Sequence, residues 1–214
     1  MTTTNRDNTL PYTAHEADMI AHVACDRWRT FVDVGAHVGT WLYALRDSFD
    51  HAHAIEPNVD AVSQLVENLA KWKMIDRVQV HGCAVSSNDE GKTTLYCHDH
   101  ACHSTILATH PRPETLGPEH DGKTRHKRTV DMLTLDTVLK KQIRHGTVDL
   151  VKIDVEGAEL SVLTGAEQLI EKQNPYFIIE CHTPLVGEIV LDRMNGGEAL
   201  GRMNNIVYCA GRFK

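Results

Sequence analysis

The run Phe31-Val-Asp-Val-Gly35-Ala-His-Val-Gly39 restricts the fold of this chain more than any other segment. Its apolar start, Thr30–Val34, reads as a buried strand, its glycines as a sharp turn, and Gly39–Arg46 as the beginning of a helix. A strand that turns straight into a helix opens a βαβ unit, and the rest of the chain keeps that rhythm. Ala52–Ile55 is a second strand, and Val59–Lys71 a helix with Val62, Leu65, Val66 and Leu69 at helical spacing. The same reading predicts a helix at Thr13–Trp28, a third strand at Val78–Val85 and, further on, a strand at Arg128–Leu133 with a helix at Thr134–Ile143. Asp149–Asp154 is the next parallel strand, followed by a helix at Gly157–Lys172, a strand at Pro175–Cys181, a helix at Leu185–Met194 and a closing strand at Asn205–Cys209. The expected architecture is one doubly wound α/β domain at 13–214 behind a flexible lead-in at 1–12. It is interrupted at about 92–128 by a loop or hairpin excursion. There Lys92–Cys97 reads as antiparallel and a histidine-rich segment follows, and a loop of that length in a compact domain is functional or mobile.

The glycine turn has the spacing D-x-G-x-x-x-G, from Asp33 through Gly35 to Gly39. Glycine at 35 lets the backbone approach a ligand without a Cβ in the way, and the following helix aims free N–H groups at the same place. A dinucleotide site uses G-x-G-x-x-G, whose second glycine makes room for pyrophosphate. Position 37 is histidine here, so the spacing suits a smaller and less anionic nucleoside, such as S-adenosylmethionine. Glu56 closes the second strand 21 residues after Gly35, where a carboxylate can accept from both hydroxyls of a ribose. Ala36, His37 and Pro57 belong to the same expected cofactor site, with Asp33 beside the methionine part and Ala84 and Val85 beside the adenine. Plainer readings stay open: the glycines as turn punctuation, Glu56 as a cap for the helix entered through Pro57-Asn58, and Gly82–Val85 as packed strand.

The segment Asp149-Leu-Val-Lys-Ile-Asp-Val-Glu-Gly-Ala-Glu159 places Lys152, Asp154 and Glu156 two residues apart, on one face of a strand near its C-terminal end. Ligands of open α/β sheets bind at that edge, and charges in an apolar run are costly unless paired or used. Asp154 is the expected group to orient a substrate hydroxyl and take its proton, and it also borders the cofactor. Glu180 and His182 close the next strand with the same period of two and complete the expected catalytic group, His182 as a proton relay or as a structural histidine. Glu159 reads as a carboxylate favouring its helix dipole.

Four stretches resemble the FkbM family of S-adenosylmethionine-dependent methyltransferases: FVDVGAHVGT (31–40), HAIEPN (53–58), VKIDVEGAELSVLTGA (151–166) and FIIECH (177–182). The resemblance implies a Rossmann-like class I methyltransferase fold, a seven-stranded sheet whose last strand is antiparallel, and S-adenosylhomocysteine as product. It implies methylation of a hydroxyl on a sugar, glycan or small natural product. By motif, Asp33, Gly35, Gly39 and Glu56 would serve the cofactor, and Asp154 and Glu156 the reaction centre. The histidine-rich segment matches no fixed pattern and would select the acceptor, with His103, Ser104 and Thr105 as contacts.

A formal charge of −7, with histidines neutral, disfavours a broad nucleic-acid track and leaves an RNA ribose 2′-O-methyltransferase as the alternative function. A non-catalytic or NAD-type nucleotide-binding protein is the second alternative. The basic cluster Lys123–Arg128 is a solvated loop or an acidic-substrate patch. No metal is expected: Cys97, His98, His100, Cys102 and His103 are dense in ligand atoms but lack the spacing of a common zinc site. Six cysteines without a CxxC pair, no secretory signal and no membrane-length apolar run give a cytoplasmic expectation, with a homodimer left open.

Overall fold

The computed structural model describes residues 2–4, 11–89, 91–97, 104–107, 126–203 and 206–214. Within the expected lead-in, Thr2–Thr4 (β1) pairs antiparallel with Pro11–Thr13 (β2), while residues 1 and 5–10 lie outside the described residues. Helix α1 (Ala14–Ala24) leads into β3 (Trp28–Val34), α2 (Thr40–Ala44), β4 (Phe49–Ile55), α3 (Val59–Lys71) and β5 (Val78–His81). Then come β6 (Ala84–Val85), β7 (Gly91–Cys97), β8 (His126–Leu133), α4 (Leu135–Val138), α5 (Lys140–His145) and β9 (Leu150–Ile153). The chain closes with α6 (Glu159–Thr164), α7 (Glu167–Gln173), β10 (Tyr176–Cys181), α8 (Pro184–Arg193), β11 (Met194–Met203) and β12 (Ile206–Phe213).

Seven strands form one sheet in the order β11-β12-β10-β9-β3-β4-β5. The pairs β10–β9, β9–β3, β3–β4 and β4–β5 are parallel, and the last strand, β12, runs antiparallel to both of its neighbours. That is the sheet the resemblance implies. Alternation along the strands feeds two apolar layers: Val32, Val34, Val151, Ile153 and Ile179 pack on one side, and Phe31, Leu150, Ile178 and Tyr208 on the other. Among the described residues no helix is long and apolar enough to cross a membrane.

Five elements differ from the sequence expectation. Helix α1 stops at Ala24 and Trp28 joins β3, its backbone N–H donating to the Ser48 carbonyl at 2.7 Å. The expected strand Val78–Val85 breaks at Gly82-Cys83: β5 stays in the main sheet, while β6 pairs parallel with β8. With β7 antiparallel to β8, these three strands make a small second sheet, so the excursion is built on a hairpin. The expected helix Gly157–Lys172 is two helices, because the Gly165 carbonyl accepts from Asp136 N–H at 2.9 Å. The Asp136 carboxylate in turn caps the Gln168 and Leu169 amides at 2.8 and 2.9 Å. A similar one-residue break at Leu139 separates α4 from α5. Strand β11 was not foreseen; its Gly196-Gly197 imitates a turn.

Candidate active site

Asp33 and Lys152 are register partners on β3 and β9, on the same face at the strand ends. The Lys152 ammonium lies 3.3 Å from Asp33 Oδ1 and 3.3 Å from Asp154 Oδ2, and donates to the Gly35 carbonyl at 3.0 Å. Burial alone would lower the Lys152 pKa, but Asp33, Asp154, Glu180 and Glu16 more than offset it, so the ammonium stays charged. It also lies 6.0 Å from the centre of the Trp41 ring.

The glycine turn is shaped by close approach. Gly35 has φ +79°, and a Cβ there would overlap the Asp154 carbonyl oxygen, which lies against the turn because Asp154 N–H donates to the Val34 carbonyl at 3.0 Å. The turn continues through His37 at φ +47°. Glu56 ties this turn to the next helix: Oε2 accepts from His37 N–H at 2.9 Å and Oε1 from Asn58 N–H at 2.8 Å. Asn58 itself caps α3 through Asp60 N–H. Burial pushes the Glu56 pKa up to about 7 against the pull of those two amides. Each carboxylate oxygen keeps a second lone pair, so Glu56 can also receive ligand hydroxyls.

A cavity of about 350 Å³ joins these parts. Its walls are Gly35, Ala36 and His37 from the turn, Glu56 and Pro57 after β4, Cys83, Ala84 and Val85 at the chain's crossing between sheets, and Lys152, Asp154 and Glu156. Asp33 and Gly39 lie outside this lining, Asp33 acting on it through Lys152. Ser104 and Thr105 close one side together with Leu95 and Ile106. Thr105 bridges to Tyr96 through two backbone hydrogen bonds, and its buried hydroxyl donates to the Glu156 carbonyl at 2.9 Å and accepts from Leu107 N–H at 3.2 Å. It fastens the excursion to the loop after β9. His98, His100, Cys102 and His103 lie outside the described residues, and the Cys97 thiol is buried, which raises its pKa.

At the other end of the cavity, β9 stops at Ile153 and the chain turns through Glu156 and Gly157, with φ of +53° and +102°. This turn brings Glu156 and Glu159 to His182, which follows β10 and is fully buried. His182 Nδ1 lies 2.5 Å from Glu159 Oε1. Its Nε2 lies 3.2 Å from Glu156 Oε2, 3.6 Å from Asp154 Oδ1 and 3.8 Å from Glu180 Oε1. Burial would lower the imidazole's pKa, but Glu156 and Glu159 hold it well above the ordinary histidine range. Burial, with Asp154 beside it, likewise raises Glu180. The donor atoms of Asp154, Glu180 and His182 lie within 4.8 Å of one another.

The structure thus brings Lys152, Asp154, Glu156, Glu180 and His182 into one charged cluster that meets the cavity at Lys152, Asp154 and Glu156. Sequence reasoning missed Glu16 and Trp41, which also line the cavity, and gave Glu159 to its helix. The Glu159 carboxylate instead serves His182 and accepts from Gly157 N–H at 2.8 Å. Trp41 had one signal, its place directly after the glycine turn; Glu16 reaches the site from α1 and had none.

A family model described as the methyltransferase FkbM domain matches residues 33–206. "Methyltransferase 1" of Beauveria bassiana is 27% identical over 150 residues, covering 64% of this chain and 57% of that protein. "Hexuronic acid methyltransferase AglP" of Haloferax volcanii is 26% identical over 153 residues, covering 70% of this chain and 54% of that protein. The chain therefore spans little more than half the length of these curated relatives. The crystal structure of a methyltransferase FkbM from Methylobacillus flagellatus KT superposes with a TM-score of 0.54 at 19% identity, over 85% of this chain and 43% of that one. This likeness establishes the Rossmann-like α/β fold.

Proposed function

The chain belongs to the FkbM methyltransferase family, and from that membership we propose that it transfers a methyl group from S-adenosylmethionine to a hydroxyl of a sugar, glycan or small natural product. The observation that carries this reading is a cavity that joins the glycine turn and Glu56 to Asp154. The residues present suit the cofactor. Glu56 retains acceptor capacity for a ribose diol, Ala36 and Cys83–Val85 offer small surfaces for a flat ring, and Asp154 and Glu156 make an acidic wall for a cation. S-adenosylmethionine supplies a methyl carbon on a sulfonium, the C–S electrons returning to sulfur as the acceptor oxygen takes the methyl.

Asp154 is the most open carboxylate of the cluster, its side chain 27% exposed against 14% for Glu180 and 11% for Glu156. Lys152 holds its Oδ2 side in place, so the carboxylate is positioned to accept a hydrogen bond from the acceptor hydroxyl and receive its proton as the new C–O bond forms. Ser104 and Thr105 line the side of the cavity that would take the acceptor, held there by the bridge from Thr105 to Tyr96. The name of the relative AglP favours a sugar acceptor over other hydroxyl compounds.

Calorimetry with S-adenosylmethionine and with NAD tests the reading, together with methyl transfer to a panel of sugars and uronic acids. Binding of S-adenosylmethionine alone, with turnover on a hydroxyl acceptor, is expected. Binding of NAD in its place overturns it.

A further inference from the structure

We infer that Asp154, Glu180 and His182 form a binding site for a divalent first-row transition-metal ion at the wall of the cavity. The first support is geometry. Asp154 Oδ1 and Glu180 Oε1 lie 3.6 and 3.8 Å from His182 Nε2. Donors around such an ion sit about 3 Å apart, so small side-chain rotations close the trio.

The second support is the state of His182. Its Nδ1 is engaged by Glu159, which fixes the ring's orientation and directs Nε2 at the other carboxylates. That Nε2 is fully buried and pairs with Glu156 Oε2 at 3.2 Å, but without the alignment of a hydrogen bond. A buried ring nitrogen without a hydrogen bond, backed by a carboxylate on the opposite nitrogen, is the arrangement of a metal-ligating histidine.

Charge supplies the third. Asp154, Glu156, Glu159 and Glu180 surround one imidazole. The Lys152 ammonium lies 3.3 Å from Asp154 Oδ2, and His182 Nε2 lies 3.6 Å from Oδ1. Carboxylates packed this closely need compensating positive charge, part of which Lys152 and the His182 ring, whose pKa Glu156 and Glu159 raise, already supply. A divalent ion taking the place of the Nε2 proton would supply more of it where Nε2 points. One nitrogen and two oxygen donors suit manganese, iron or zinc better than magnesium or calcium, which prefer oxygen alone.

Three protein donors leave coordination positions open, and Asp154 belongs to the cavity wall as well as to the trio. The ion would therefore hold an acceptor oxygen there and make its hydroxyl more acidic, a role that rests on the methyltransferase reading. The site itself does not depend on that reading.

The test uses the whole 214-residue chain without a histidine tag, freed of metal by a chelator and titrated with Mn2+. Calorimetry and the electron paramagnetic resonance signal of free Mn2+ should show one ion per chain. Pulsed spectra of the bound ion should show coupling to an imidazole nitrogen. Asp154→Asn and Glu180→Gln, checked as folded by circular dichroism, should each weaken Mn2+ by at least about tenfold, and Glu159→Gln by about 10- to 100-fold. No uptake by the wild-type protein, no nitrogen coupling, or uptake unchanged in Glu180→Gln overturns the site. S-adenosylmethionine affinity is measured alongside. Mn2+ uptake without cofactor binding keeps the metal site and removes the methyltransferase reading, whereas cofactor binding without Mn2+ uptake removes the metal site alone.

Discussion

Asp33 and Lys152 stand directly opposite each other on adjacent parallel strands, their side chains 1% and 5% exposed, with the ammonium 3.3 Å from Asp33 Oδ1. The pair also holds the active-site chain, because the same ammonium binds the Gly35 carbonyl and Asp154. One charge thus sets the glycine turn and the loop after β9 relative to each other.

Removing that charge strands a buried carboxylate. Lys152→Met should cost about 3–5 kcal/mol in urea-induced unfolding. Asp33→Leu combined with Lys152→Met should recover part of the loss, since no carboxylate is then left buried at position 33, while Asp154 and the Gly35 carbonyl still lack the ammonium. A double mutant as unstable as the single one would show that the pairing is not what Lys152 contributes.

Glu56 makes cofactor affinity depend on pH. Its pKa in the free protein is raised to about 7, so the carboxylate is mostly protonated at pH 6 and mostly ionised at pH 8. Ribose hydroxyls donate to the ionised form, so S-adenosylmethionine affinity should rise about tenfold between those pH values. Stability moves the other way. The folded chain holds this proton more tightly than the unfolded chain, whose glutamate titrates at 4.5, so raising pH from 4.5 to about 7 removes stability through Glu56. Glu56→Gln should flatten both profiles; calorimetry and urea titrations across the range measure them.

How far the sequence could be read follows from which forces set each feature. Helix α3 was expected at Val59–Lys71 and lies there, because its apolar spacing and the Asn58 cap are local. The ends of other elements depend on distant partners. Asp136 splits α6 from α7, and the break at Gly82 is set by the pairing of Ala84 and Val85 with β8. Strand β11 is held by β12, with Gly211 so close to Gly197 that a Cβ would come within 2.9 Å of its Cα. The site shows the same division. Asp33, Lys152, Asp154 and Glu56 stand in readable motifs, but register decides that Lys152 faces Asp33, and the backbone turn at Glu156 decides that Glu159 reaches His182. Glu16 enters from a helix whose spacing carries no hint of the cavity.

Two glycines near the cavity should respond in opposite ways. Gly35→Ala places a Cβ on the Asp154 carbonyl at φ +79°, so it should lower stability by at least about 2 kcal/mol and abolish cofactor binding. At Gly82 a Cβ meets nothing within 4 Å, and Gly82→Ala should change stability by no more than about 1 kcal/mol. Thermal unfolding and cofactor titration of both variants measure this, and equal effects would refute the close approach at Gly35.

Thr105 gives a test of how the excursion is held. Its hydroxyl is the side-chain link between that segment and the Glu156 carbonyl, and it also receives Leu107 N–H. Thr105→Val keeps the shape, leaves both backbone groups without this partner, and should cost about 1–3 kcal/mol locally. The cavity's cofactor side does not depend on the link, because Gly35 and Glu56 are held by β4 and Lys152. S-adenosylmethionine affinity should therefore stay within about twofold of wild type, while amide exchange at Tyr96 and Thr105 accelerates and the acceptor KM rises about tenfold, the equivalent of about 1.4 kcal/mol. Thr105→Ser restores the hydroxyl and should return both values towards wild type. Faster exchange without a change in acceptor KM would mean that the excursion is fastened by Thr105 but takes no part in holding the acceptor.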